Sequence, residues 1–228
     1  MNQTSNVVVF DFDQKLPSGF RFPARMTLLP LGEDEVALVS PVPISDEMAR
    51  RIAEHGEVRF LIAPNLLHYM YMADAQVRYP SAQVIAPREL AQKRPDLRID
   101  HSLSASLPEA LARSVDAIPI EGMPSLGEVA LFHRTSRTLV LTDLVFNVVH
   151  PRGVIAHLVL ALVGCHGKLA TSRALRYGMT KDRARAAESA RALLSLPIET
   201  LVMAHGDVVK HDAKAGLASA LSWLPKSP

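Results

Sequence analysis

The sequence predicts an α/β fold, a four-layer αββα sandwich. Three observations carry that reading: two separate strand-rich regions, a β-α-β-α series between them, and a helical C-terminal third with one late strand. Each sheet of such a chain must bury both faces, and two sheets face to face with helices on both outer sides satisfy the order. No Gly/Ser or Pro-rich linker and no internal repeat divides the chain, so residues 1–228 are expected to form one domain.

The elements follow in order. Residues 7–10, 25–29 and 35–40 are β-rich and separated by turn formers, Pro17-Ser18-Gly19 and Leu31-Gly32-Glu33-Asp34, which predicts an antiparallel meander. Ser45 then opens a helix over 45–54, with Asp46 and Glu47 in its first turn and Gly56 as a stop. Residues 58–63 are apolar enough for a strand buried on both faces, and a helix is expected from Asn65 to Val77. Residues 82–86 repeat the buried-strand pattern, and short helices are expected over 87–93 and 107–113.

Strands return at 118–120, 128–132 and 138–141, with His133-Arg134-Thr135-Ser136-Arg137 as a hairpin loop between the last two. Helices are expected over 154–163, 171–177, 181–194 and 211–223, interrupted by a strand at 200–204.

Composition narrows the function classes. Of 228 residues, 48% are apolar and 21% charged, which favours a packed core over disorder. The net charge of +2 gives no overall signal for nucleic acid. Cys165 is the single cysteine, so no internal disulfide and no Cys-x-x-Cys site exists; a buried small hydrophobe in a reducing, cytoplasmic compartment is the expectation. Residues 1–6 lack a secretion-signal pattern, and the longest apolar run, 154–165, is too short to cross a bilayer. The expected partner is a small-molecule ligand, with no nucleic acid and no membrane; oligomeric state is not legible.

Three polar groups sit just past the ends of expected core strands, where open α/β sheets place their ligands. His68 follows 58–63, Asp143 follows 138–141, and His205 follows 200–204. Two imidazoles and a carboxylate compose a facial metal site with positions left for water. Each also has a plainer use, as a histidine satisfied by backbone or a carboxylate capping its loop.

A resemblance joins these positions. Leu61-Ile62-Ala63-Pro64-Asn65-Leu66-Leu67-His68, Tyr79-Pro80-Ser81-Ala82-Gln83-Val84, Leu141-Thr142-Asp143-Leu144-Val145-Phe146-Asn147 and Ala204-His205-Gly206-Asp207 resemble the metallo-β-lactamase superfamily, specifically a divergent branch with an eroded metal motif. The family pattern H-x-H-x-D-H falls on Ala63, Asn65, Leu67 and His68, so one of its four ligands is kept. Glu121-Gly122-Met123-Pro124-Ser125-Leu126-Gly127, where a further His is expected, has none; the bridging Asp matches Asp143 and the last His matches His205.

The resemblance therefore implies either one Zn, Fe or Mn ion held by His68, Asp143 and His205, or no metal in the same pocket. It implies a mononuclear metal-dependent hydrolase of unread substrate, or a non-enzymatic member that binds a small molecule or a protein. Asp143 and Asn65 are the catalytic candidates, with Asn65 an orienting group at most, or simply a helix cap.

Further substrate-binding candidates are His150, on the loop beyond Asp143, and Arg173 and Arg176, placed to reach an anionic substrate after the Gly164-Cys165-His166-Gly167 turn. Residues 168–191 hold seven basic and two acidic residues whose spacing mixes helix faces, the pattern of a solvated surface. The apolar residues 154–163 fit either a core helix or an interface.

Overall fold

The structure is a computed structural model that describes residues 6–15, 21–103, 106–151 and 153–226. The turn expected at Pro17-Ser18-Gly19 and residues 1–5 lie outside the described residues.

The first sheet runs in chain order. Strands β1 (Val8–Lys15), β2 (Arg21–Gly32) and β3 (Glu35–Val39) form the antiparallel meander. Positive φ at Gly32, Glu33 and Asp34 makes the tight β2–β3 turn whose twist matches its strands. Parallel strands β4 (Glu57–Ile62), β5 (Gln83–Ala86) and β6 (His101–Ser102) then extend the sheet.

Three helices cross between the parallel strands: α1 (Asp46–Ala53), α2 (Met72–Arg78) and α3 (Arg88–Lys93). Ser45 caps α1 as expected, its hydroxyl accepting from the Met48 N–H.

After the short α4 (Glu109–Ala112), strands β7 (Val115–Pro119), β8 (Val129–His133) and β9 (Thr138–Leu141) form a second antiparallel meander. The chain continues through α5 (Val154–Val163), a π-helical turn (Ala174–Met179) and α6 (Arg183–Ser195). Strand β10 (Thr200–Met203) then pairs parallel with β9, and α7 (Ala213–Ala220) follows. The second sheet is ordered β10-β9-β8-β7.

Side-chain alternation builds four layers from these two sheets. Leu29, Ala37, Val39, Phe60 and Ile62 face Val129, Leu131, Val140 and Val202 across the central layer. The opposite residues of the first sheet, Leu28, Leu38 and Leu61 among them, pack on Ile52, Met72 and Leu90 of the outer helices. Phe132, Leu139 and Leu201 pack on Leu193 and Leu217 on the far side. His133 ties the sheets directly, its Nε2–H donating to the Pro30 carbonyl at 2.9 Å.

Two expectations need correction. The helix expected from Asn65 begins only at Met72, because the Asn65 side chain takes the Leu67 and His68 N–H groups into a turn. The helix expected over 171–177 is the π-helical turn, displaced to Ala174–Met179. Among the described residues no helix is long and apolar enough to cross a membrane.

Candidate metal centre

The carboxyl ends of β4, β9 and β10 meet at one edge of the sandwich, and the loops leaving them bring three side chains together. His68 Nε2 lies 3.1 Å from His205 Nε2 and 3.2 Å from Asp143 Oδ2. His205 Nε2 lies 3.3 Å from Asp143 Oδ1. The three ligating atoms fall within 4.8 Å of one another, and among the described residues this is the one such group.

Each side chain is held from behind. His205 Nδ1 donates to the Pro23 carbonyl on β2 at 2.7 Å. A carbonyl only accepts, so Nδ1 carries a proton and Nε2 is the ring atom turned into the site. Phe146 stacks on the same ring at 5.1 Å and Phe22 leans on it at 4.6 Å. Gly206 follows with φ +98°, and a Cβ there would stand 2.2 Å from the Asn147 carbonyl oxygen, so the turn after His205 requires glycine.

His68 is fixed by Ser40, whose Oγ lies 2.6 Å from Nδ1. Ser40 ends β3 with φ +55°, a left-handed conformation that costs a non-glycine residue about 1 kcal/mol. Asn65 is fully buried and joins the turn to the carboxylate. Its Oδ1 accepts from Leu67 N and His68 N, while its Nδ2 donates to Asp143 Oδ2 at 2.7 Å and Thr142 Oγ1 at 3.0 Å.

Behind Asp143 stands a second buried carboxylate. Glu128 accepts from the N–H groups of Thr142, Asp143 and Leu144 at 2.8 to 3.0 Å, which shapes the loop that presents Asp143. Burial, and then the neighbouring Asp143 charge, push the Glu128 carboxyl up from its ordinary range.

Burial alone would discharge both His68 and Asp143, but each outweighs that effect on the other. Asp143 is held well below the usual carboxylate range by the His68 charge and the hydrogen bond from the His68 ring, and His68 is raised above 6.5 by Asp143.

No family model matches the chain, and no curated protein does. Solved structures match along nearly its whole length. A metallo-β-lactamase from Pontibacter korlensis is 12% identical with a TM-score of 0.65, covering 97% of each chain. One from Hirschia baltica is 11% identical with a TM-score of 0.63, over 97% of this chain and 96% of the other. FIM-1 of Pseudomonas aeruginosa, solved in a mono-zinc form, is 11% identical with a TM-score of 0.62, over 96% and 92%. The chain has the metallo-β-lactamase fold.

In this metallo-β-lactamase fold the trio could hold a metal ion, and its chemistry fits one. It offers a fixed imidazole lone pair, a second imidazole and an ionised carboxylate, each oriented by an outer partner as ligands to a divalent ion are. The Asp143 carboxylate, held ionised beside the His68 ring, also supplies negative charge for a cation to balance.

A cavity of about 490 Å³ lies between the β1–β2 ribbon and the loop after Phe146; Ala204 and Gly206, on either side of His205, line it, while His68, Asp143 and His205 themselves do not. His150 lines it, as do Phe22, Val148 and Leu160. Arg173 and Arg176 are absent from its lining: their guanidiniums donate to the Leu162 and Thr171 carbonyls of their own segment. Cys165 is fully buried as expected, its thiol pushed up to about 11 by burial.

Sequence reasoning missed Ser40, Glu128 and the Pro23 carbonyl. Glu128 had a visible signal, an acidic residue directly preceding the apolar run Val129-Ala130-Leu131-Phe132. A backbone carbonyl has none.

Proposed function

We propose that this protein is a mononuclear metal-dependent hydrolase with a reduced form of its fold's metal site, His68, Asp143 and His205 holding one divalent Zn, Fe or Mn ion. The observation that carries the reading is the convergence of three ligating atoms, each with its outer partner already in place. The mono-zinc form of FIM-1 shows that a protein of this fold is found with a single zinc. The motif positions that hold Ala63, Asn65 and Leu67 bear no imidazole or carboxylate, which supports one ion over two.

A divalent ion there supplies Lewis acidity, polarising a carbonyl or phosphoryl oxygen and easing deprotonation of water. The chain's own groups do the rest. The Pro23 carbonyl keeps the His205 proton on the outer nitrogen, and Asn65 aims the Asp143 carboxylate without competing for its charge. His150 stands on the cavity wall, where a substrate's polar group would meet it. The apolar wall of Phe22, Val148 and Leu160 excludes water from the remainder of the substrate.

One observation favours a second reading, a metal-free pocket that binds a small molecule or a protein. The His68 ring, with a proton on Nε2, satisfies both the His205 lone pair and the Asp143 carboxylate without an ion.

Metal analysis separates the two. After purification and reconstitution with zinc, iron or manganese, about one equivalent is expected, lost in His68→Ala and His205→Ala. Absence of bound metal from folded protein after reconstitution overturns the hydrolase reading. With metal bound, ester, thioester, amide and phosphodiester substrates are then screened, and the same variants must abolish any turnover found.

A further inference from the structure

The segment from Phe146 to Ala170 leaves the sandwich and returns to it, its base closed by paired backbone hydrogen bonds between those two residues. It packs on itself through Val148, Leu160, Cys165 and Ala170. Its helix α5 is ten residues long and carries no Lys, Arg, Asp or Glu; its one polar side chain, His157, pairs with His166 at 2.8 Å. Ala156 and Leu160 turn inward onto the cavity wall. The outward residues have no such cover: Ile155 is 62% exposed, Leu158 66% and Leu162 74%.

The surrounding charge is one-sided. From Leu144 to Lys181 the sequence holds five Lys or Arg and no Asp or Glu. Arg173 packs across Gly164 at the end of α5, with Nη1 on the Leu162 carbonyl, and Lys168 is exposed on the loop between them. Asp11, Asp13 and Asp207 line the cavity on the inner side of α5.

We propose that this face is a docking surface for an anionic lipid bilayer, with α5 lying in the plane of the headgroups. An apolar helix face bordered by basic residues gains from both acyl burial and the negative surface potential. A second copy of the chain fits less well, because a two-fold contact through α5 sets the same basic rim against itself. A nucleic acid would leave the apolar face without a partner. The expectation of no membrane partner rested on the length needed to span a bilayer, and a helix lying in the interface needs no such length.

The test is co-sedimentation of the full chain with phosphatidylcholine vesicles, with and without ~30% phosphatidylserine. Partition is expected to rise more than about tenfold with the anionic lipid and to fall back with added salt. Leu158→Gln with Leu162→Gln, and separately Lys168→Gln with Arg173→Gln, should each lower it by about tenfold or more while the melting temperature stays unchanged.

A fluorophore on Leu158→Cys should shift to the blue on anionic vesicles, while one on Val77→Cys, exposed on α2, should not. Equal partition onto both vesicle types, indifference to both double variants, competition by soluble glycerophosphoserine, or a dimer that the leucine variants dissolve would each overturn the proposal.

Discussion

The Arg25 guanidinium donates through Nη1 to the Met203 carbonyl at 3.0 Å, joining β2 of one sheet to the end of β10 in the other, two residues before His205. Two residues earlier on β2, Pro23 accepts from His205 itself. One strand of the first sheet therefore holds the outgoing end of the second sheet at two points, and the site is a product of sheet packing as much as of loop conformation.

Arg25 is 6% exposed, and its Nε also donates to Asp11 at 2.7 Å. Arg25→Met keeps most of the stem but strips the Met203 carbonyl of its donor, at a cost of about 1 to 3 kcal/mol in urea unfolding. Metal affinity should fall with it, since His205 loses its second anchor. An unchanged urea midpoint would show that this bond carries nothing.

Asn65 offers a sharper separation of structure from chemistry. Asn65→Ala leaves the Leu67 and His68 N–H groups unanswered and takes from Asp143 Oδ2 one of its two partners, so a loss of about 2 to 4 kcal/mol is expected. Asn65→Asp keeps the Oδ1 acceptor but sets a second carboxylate against Asp143. That variant should be destabilised in chelator and recover most of its stability with excess zinc, whereas the alanine variant should recover little. Identical rescue in both would argue that residue 65 does not face a cation site.

The architecture was legible because it rests on local patterns. The apolar runs of β4 and β5, the Ser45 cap and the Gly32-Glu33-Asp34 turn act over a few residues and leave their mark in sequence. The convergence of His68, Asp143 and His205 was expected from their place after strand ends together with the family resemblance, and the three ligating atoms do lie within 4.8 Å of one another. How the residues around them act on them was not legible. Glu128 and Ser40 act on residues 15 and 28 positions away, and Asn65 reads as an ordinary helix cap until the turn it makes with Leu67 and His68 is seen. The exposed face of α5 is equally hidden, since an apolar run looks the same inside a core and outside it.

His133 predicts how the sandwich responds to acid. Its ring is 2% exposed, with Nε2–H on the Pro30 carbonyl and Ser136 against Nδ1, and burial lowers its pKa below 6.5, partly opposed by that carbonyl. A depressed folded-state pKa means the unfolded chain binds the proton more readily. This group's contribution is therefore complete above pH 6.5 and is lost as pH falls through the folded value. His133→Gln can still donate to Pro30, so its melting temperature should fall less steeply than the parent's below pH 6.5. Parallel acid limbs for the two proteins would remove His133 as the cause.

His68 works in the opposite sense. Asp143 raises its folded pKa above 6.5, so in the absence of metal its contribution to stability is complete below that value and is lost as pH rises through the raised one. An ion at the site must displace the proton that His68 Nε2 shares with His205 and Asp143. Metal binding should therefore strengthen as pH climbs, by about tenfold per pH unit until His68 is neutral, and level off beyond.

Thermal melts with and without zinc across this range read both effects at once. The zinc-induced rise in melting temperature should grow with pH, while the metal-free gap between parent and His68→Gln should shrink. Calorimetry in two buffers of different ionisation enthalpy should count about one proton released per ion near neutral pH. A zinc response that is flat with pH would mean that the ion binds elsewhere than against this ring.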